Sequence, residues 1–429
     1  MIYPSLTDAQ MKKSQKFYIG FNLLNGIGYL CVGEMIGLII ATLGFPDVIY
    51  TINGALFNIG CIWLPLGKIA TSKWGAAKTQ SNFWILRNLS ALIMVSCVIW
   101  VSLGYIYIGG AFLLFGAFIF YGCRSAGGVM STALVGNITD ADGRGKLLAF
   151  ASMAHNIVSA VIHIGLGCLM LYNPSIWILF GVVIFGAVCG ILSAVCLRCI
   201  DESDAIMKAA KTPLIADAWS CLKDSGFRRM VIAQVCFSLS TALTFALNVL
   251  ILKRGFNLPN GWIMLINFFG GLLYAAAARP ASILGDKIGP RKAMIIGHSV
   301  MFFIIFFWQV VPAEFHWWSI ALLLLMTSIS SMCFGICSGM YFLRCIPVKH
   351  QPSAATLQQL INGVLTGFIA MGLTTLLWSL CDRYCADYIR IVETYGIGVA
   401  GMERYRFFFL LALPFVALGW IGIWSQKEV

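Results

Sequence analysis

Asp286-Lys-Ile-Gly-Pro-Arg-Lys292 is a short charged stretch wedged between two long apolar runs, 262–283 before it and 293–311 after it. Each run is about 20 residues, the length a helix needs to cross the hydrocarbon core of a bilayer. Gly289 and Pro290 suit a sharp turn, because Gly tolerates positive φ and Pro fixes φ. Lys287, Arg291 and Lys292 stand against the single carboxylate of Asp286, a balance that fits a loop held on the cytoplasmic side. The stretch therefore reads as the tight inner turn of a transmembrane hairpin.

The pattern recurs along the whole chain. Of its 429 residues 60% are hydrophobic and only 11% charged, far from the composition of a soluble domain. Apolar runs of spanning length fall at 17–43, 51–70, 83–101, 108–136, 147–172 and 176–197, then at 230–252, 262–283, 293–311, 317–343, 354–380 and 407–424. The expected fold class is an all-α membrane protein with twelve transmembrane helices. Residues 1–16 are polar and lack a cleavage pattern, and the first run is too long for a signal peptide, so it is expected to remain in the mature protein.

The net charge of +12 is explained by topology rather than by nucleic acid. With both termini in the cytoplasm, most of the 29 Lys and Arg fall in inner loops or at inner span ends, the asymmetry that orients membrane proteins. Lys68, Arg87 and Arg279 are placed about a turn from inner ends, where long basic side chains snorkel to the interface. Most of the 15 cysteines lie in apolar runs, where Cys acts as a small hydrophobe. No paired Cys and His spacing implies a metal. Cys381 and Cys385 flank an outward-facing segment, and both a disulfide and two free thiols are open there.

The longest polar interruption, 198–229, reads as a cytoplasmic linker with an amphipathic surface helix. It divides the chain into an N-terminal bundle (1–198), a linker (199–229) and a C-terminal bundle (230–429), each bundle with six spans. The halves are weakly similar. Gly44-Phe45 closes the first span as Gly255-Phe256 closes the seventh, and Lys68–Lys78 matches Ser282–Lys292. In that alignment Lys73 meets Lys287 and Gly75 meets Gly289, while Ser72 stands where the second copy has Asp286.

The acid-basic-x-Gly-x-basic-basic order of Asp286–Lys292 resembles the loop between the second and third helices of each half of major facilitator superfamily transporters. Phe120-Tyr-Gly-Cys-Arg124-Ser-Ala-Gly-Gly128 is similar to that superfamily's fourth-helix motif, and Asp140-Ala-Asp-Gly-Arg144-Gly145 to its short turn into helix five. The Gly-Pro-rich motif of drug/proton antiporters and the Pro-Glu-Ser-Pro signature of sugar porters do not occur. The resemblance implies two six-helix bundles rocking about a central site. Lys73, Gly75, Asp286, Lys287, Gly289, Arg291, Lys292 and Arg144 would lie in the cytoplasmic latch loops. In the family the loop acid, here Asp286, pairs with a neighbouring helix end; Ser72 cannot supply that charge, so the first-half latch is expected to be weaker.

Well inside the spans, two side chains carry a formal charge: Glu34 and Arg124. Ionisable groups at membrane depth cost several kcal/mol and usually face a cavity or a partner. Two readings stand: a Glu34–Arg124 pair whose protonation frees the Arg, similar to proton-coupled superfamily members, or a static pair that fixes helix packing. At about 100° per residue, Glu34 points about 180° from Asn25 and about 120° from Asn22. It shares their face only if Gly26, Gly28 or Gly33 bends the helix. On the fifth span Ser152, His155, Asn156, Ser159 and His163 form a polar face. His155 is the stronger proton-relay candidate of its two histidines.

The resemblance puts the cavity on the first and fourth helices of each half. Asn22, Asn25, Tyr29, Arg124, Asn156, Gln234, Asn248, Ser338, Tyr341, Gln358, Gln359 and Asn362 are the candidate substrate contacts. Amides offer donors and acceptors to a polyhydroxylated solute, whereas many of the Ser and Thr on these stripes serve helix packing. Phe245 and Phe334 suit either a sugar ring or plain packing. Gly335-x-x-x-Gly339 and Gly270-Gly271 are expected to let helices approach closely.

The expected function is secondary active transport by alternating access, with proton-coupled symport of a small neutral, sugar-like solute favoured. An organic anion anchored by Arg124 is the alternative, and a solute sensor that does not transport is a second one. No Walker motif or catalytic triad signature occurs, so an enzyme is not expected. No cofactor, metal or nucleic-acid partner is expected either. The partners are a small-molecule substrate, protons and membrane lipids, with a monomer sufficient and the cell (inner or plasma) membrane as the location.

Overall fold

The computed structural model describes residues 6–139, 144–211, 222–244, 247–312, 314–345, 351–394 and 402–426. Among them the chain is helical throughout. The twelve long helices are α1 Asp8–Thr42, α2 Asp47–Trp74, α3 Ala76–Ser102, α4 Ile106–Asn137, α5 Arg144–Tyr172 and α6 Ile176–Arg198, then α7 Ser225–Gly255, α8 Asn260–Ile288, α9 Pro290–Val310, α10 Trp317–Cys345, α11 Gln351–Thr394 and α12 Glu403–Trp424. Eleven are long and apolar enough over their described residues to cross a membrane, and α5 adds the apolar stretch Ile157–Tyr172. Large side chains such as Phe303, Phe306, Val161 and Leu103 stand exposed on these helices. So many outward apolar groups on helices of this length mark a bilayer as the solvent. The protein is an integral membrane protein.

Helix ends are set by local chemistry rather than by hydropathy. α1 begins nine residues before its apolar run, because Thr7 and Gln10 form a reciprocal capping box that satisfies the first free N–H groups. α11 continues well past residue 380, since nothing from 373 to 394 is Gly or Pro. That continuation corrects the picture of Cys381 and Cys385 beside a loop. They sit one turn apart on a helix, and both are free thiols.

The chain forms two compact units, 1–45 with 56–213, and 46–55 with 214–429. The division at 213/214 falls within the stretch read as a linker. Its first part forms a short helix, Asp204–Ala210, packed on the end of α2; residues 212–221 lie outside the described ones. Inside the first unit α1 packs on α5 and α6, α3 on α4 and α6, and α2 on α4. Inside the second α7 packs on α11 and α12, α9 on α10 and α12, and α8 on α10. Every one of these pairings is repeated at an offset of six helices. The two units are therefore copies of one six-helix design.

The charged turn around Gly289 repeats too. Gly75 (φ 85°) and Gly289 (φ 91°) each end one helix and start the next, at backbone angles that Gly adopts without a Cβ penalty. The charged residues around them are not loop residues: Lys73 lies in the last turn of α2, Asp286 and Lys287 in that of α8, and Arg291 and Lys292 in the first turn of α9. The loop has shrunk to one glycine. Of the small residues expected at close helix contacts, Gly270 fits, since a Cβ there would lie 3.3 Å from Leu324 on α10, but the others differ. A Cβ at Gly335, Gly339 or Gly271 would meet nothing within 4 Å, so these do not mediate close helix contact. That role falls to residues such as Gly67, whose Cβ would collide with the Ala126 carbonyl on α4.

Residues 46–55 belong with the second unit by charge. Asp47, at the start of α2, is 4% exposed and accepts from the guanidinium of Arg254 and, at 3.1 Å, from that of Arg404. Arg404 also bonds Asp382 at 2.7 Å and lies over the Trp378 ring. Nothing in the sequence reading singled out this network.

Candidate functional site

α1 is where the polar groups of the first unit converge, and a local winding change arranges them. From Leu30 to Glu34 the helix loosens into one π turn, a feature common at functional positions. Tyr29 stands immediately before this turn and Glu34 ends it.

The carboxylate of Glu34 meets His163 on α5, with Oε2 2.8 Å from Nε2. The pair is part-buried, His163 11% and Glu34 30% exposed. His163 Nδ1 lies 2.9 Å from the Ser159 carbonyl. A carbonyl only accepts, so Nδ1 carries a hydrogen and donates it. The Nε2–Oε2 contact then needs one further proton on its own axis, on either the imidazole or the carboxyl. With that proton the pair is net neutral. Without it a ring lone pair faces a carboxylate, and the contact has no reason to persist.

It replaces the expected Glu34–Arg124 pair. His163, the less favoured histidine on sequence grounds, is the one at the carboxylate, while His155 packs beside Gly26, whose Cβ would lie 2.9 Å from its Nδ1. The side chains of Asn156 and Arg144 lie outside the described residues.

Arg124 sits on α4 with its guanidinium carbon 4.1 Å from the centre of the Phe57 ring and 6.0 Å from that of Tyr29. Among the described residues these ring faces are its contacts; no hydrogen bond or ion pair forms. Its neighbour Gly127 is filled in by Trp84, but a Cβ at Gly128, one turn beyond Arg124, would meet open space.

Arg87 corrects the snorkelling expectation. Because α3 starts at Ala76 rather than 83, Arg87 lies about three turns into the helix and is 1% exposed. Its guanidinium stacks over Trp84 and Phe120 and donates to Asn25 Oδ1 at 3.0 Å. Trp84 Nε1 donates to the same oxygen at 2.8 Å. Asn25 is thus an acceptor for two buried donors, a positioning role rather than a visible solute contact. The charge of Arg87 is near enough to that of Arg124 for the two to repel.

Other expected contacts are engaged locally. Asn22 donates to the Tyr18 carbonyl, Ser338 to that of Gly335, and Thr366 to Asn362 Oδ1. Tyr341 and Gln358 are buried, and Gln359 is exposed. Phe334 stacks on Phe237 with ring centres 3.5 Å apart, which is packing; Phe245 lies outside the described residues. Two amides differ: Gln234 Oε1 and Asn248 Oδ1 are buried with no hydrogen-bond partner among the described residues, an arrangement that costs free energy unless something donates to them. Among the described residues no cluster of His, Cys, Asp or Glu suits a metal.

At the end of α2, Ser72 donates to its own helix and leaves the turn without an acid. Glu202 brings one from beyond α6. Its Oε2 accepts from the N–H groups of Ala76 at 2.7 Å and Ala77 at 3.2 Å. Burial pushes this carboxyl above the usual carboxylate range, and the two N–H groups and Lys78 partly restore it.

A family model described as Major Facilitator Superfamily matches residues 83–371. The chain belongs to the Major Facilitator Superfamily. No curated protein matches it significantly. Among solved structures, a mutant of nucleoside transporter NupG superposes with a TM-score of 0.69 at 11% identity, covering 97% of this chain and 100% of that one. The D-xylose-proton symporter gives 0.63 at 14% identity, covering 96% and 97%. The fucose:proton symporter FucP of E. coli gives 0.56 at 11% identity, covering 97% and 98%. At these identities the likeness shows the fold.

Proposed function

We propose that this superfamily member is a proton-coupled secondary transporter of a small polar solute, working by alternating access with both termini in the cytoplasm. The observation that carries the proton coupling is the Glu34–His163 contact, which needs a proton to exist. Losing that proton removes the reason for α1 and α5 to meet at Glu34. The π turn links this event to Tyr29, and Tyr29 lies under Arg124. Proton occupancy and the position of α1 are therefore one equilibrium, which is what coupling requires. Two of the fold's relatives are proton symporters by their own names. The orphaned Gln234 and Asn248 oxygens favour a solute that brings hydroxyl donors.

The test compares two transport modes in proteoliposomes. Accumulation under an acid-outside gradient needs the coupled proton, whereas exchange of labelled for unlabelled solute does not. Glu34→Gln is expected to abolish accumulation and retain exchange. Accumulation at the native level in that variant contradicts the proposal.

A further inference from the structure

The charge balance of the first unit bears on what the solute is. Its described membrane interior holds three charge-bearing clusters: Arg87, Arg124 and the Glu34–His163 pair. The pair is net neutral when it holds its proton. Arg87 is enclosed by Trp84, Phe120 and Asn25 and has no described acid beside it. That leaves two positive charges at membrane depth with no carboxylate assigned to either. Buried charges of this kind are costly unless paired.

Arg124 is the one of the two placed to take a partner. Arg87 is 1% exposed, whereas Arg124 is half-buried. Its planar fork has five N–H donors, and among the described residues none meets an acceptor. Phe57 and Tyr29 lie against it and restrict how the plane can turn, as stacked guanidiniums are held by aromatic faces. Gly128 leaves open space one turn beyond it on the same helix. A guanidinium held by its face, with its edge unbonded beside open space, is built to receive a planar oxyanion through two parallel N–H bonds.

We propose that the transported solute carries a carboxylate, and that Arg124 binds it over the rings of Phe57 and Tyr29. This rests on the transporter reading above and narrows its solute to a polar organic anion, of which a hydroxylated acid is the simplest form. Arg87 supports the site at a distance: its repulsion makes an unpaired Arg124 less favourable, so binding an anion relieves both. Symport with a proton would make entry of a monocarboxylate electroneutral. A carboxylate neutralises Arg124, and the proton travels on Glu34 and His163, so the two bound species occupy different side chains.

The experiment is a thermal-shift titration of the full-length protein in detergent at constant ionic strength. The probes are gluconate, glucuronate and lactate, with glucose and xylose as uncharged counterparts. A ligand of the folded state raises apparent stability by mass action. At least one carboxylate is expected to stabilise the protein, the neutral sugars much less. Arg124→Gln is expected to weaken that binding at least tenfold. Glu34→Gln is expected to keep it, which separates this proposal from the coupling proposal. Should Arg124→Gln fail to fold, Gly128→Leu decides: it fills open space, and is expected to leave unliganded stability near native while blocking the carboxylate. No shift with any carboxylate, an undiminished shift in both variants, or neutral sugars binding as well as acids each overturns the proposal. Proton-driven accumulation that survives such a result would leave the coupling proposal standing.

Discussion

Asn25 and Glu34 face different neighbours from α1, and their different fates follow from that. Regular helical periodicity already set them about 180° apart. Asn25 turns to α3, where it receives Trp84 and Arg87, and Glu34 turns to α5 and His163. That the two need not share a face was legible in the sequence; the π turn that shifts their angle from the regular value, and the neighbour each one meets, were not, because both depend on how six helices close around one another. Arg87 was misplaced for a different reason. Gln80 and Asn82 delay the apolar run without delaying the helix, so an arginine three turns inside looked like one at an end. Removing its acceptor by Asn25→Ala leaves two buried donors, Arg87 and Trp84 Nε1, without a partner. A loss of about 2–4 kcal/mol is expected, read as a lower melting temperature in detergent, and an unchanged melting temperature would contradict the role given to Asn25.

At the scale of elements, the glycine turns carry the comparison. Gly75 and Gly289 could be matched by eye, and similar positive-φ backbone angles at both agree with the match. The acid that serves the first turn could not be found that way, since Glu202 arrives from more than 120 residues along the chain. Its pH behaviour has a definite sign. The folded-state pKa lies above the unfolded value, so the folded protein binds this proton more tightly. The contribution of Glu202 is therefore most favourable below the usual carboxylate range and falls as pH rises through the raised value. Glu202→Gln keeps an acceptor for Ala76 and Ala77 and should flatten that decline without large loss at neutral pH. Glu202→Ala removes the cap and should cost about 1 kcal/mol. Melting curves between about pH 4 and 8 check both, and a steeper decline in the Gln variant would refute the assignment.

For the whole molecule, the sequence revealed the class of protein and the six-helix repeat, because hydropathy and two turns suffice for that. It did not reveal that residues 46–55 group with the second unit. Nothing in the sequence around Asp47 marks the Arg254 and Arg404 that folding brings to it. Asp47→Asn leaves two guanidiniums without their buried counter-charge. It is expected to cost about 3 kcal/mol, with Asp382→Asn, at the exposed rim of the same network, costing under about 1 kcal/mol. Equal losses in the two variants would show that Asp47 is not the centre of the cluster.

Proton entry with the solute is the readout closest to the proposed coupling through the Glu34–His163 contact. Proteoliposomes loaded with a pH-sensitive dye, with the membrane voltage clamped at zero, would be given a solute identified by thermal shift. The native protein should acidify the lumen on solute addition, and His163→Asn should admit solute without acidification. Solute entry without acidification in the native protein, or undiminished acidification in the variant, would rule out coupling through this contact.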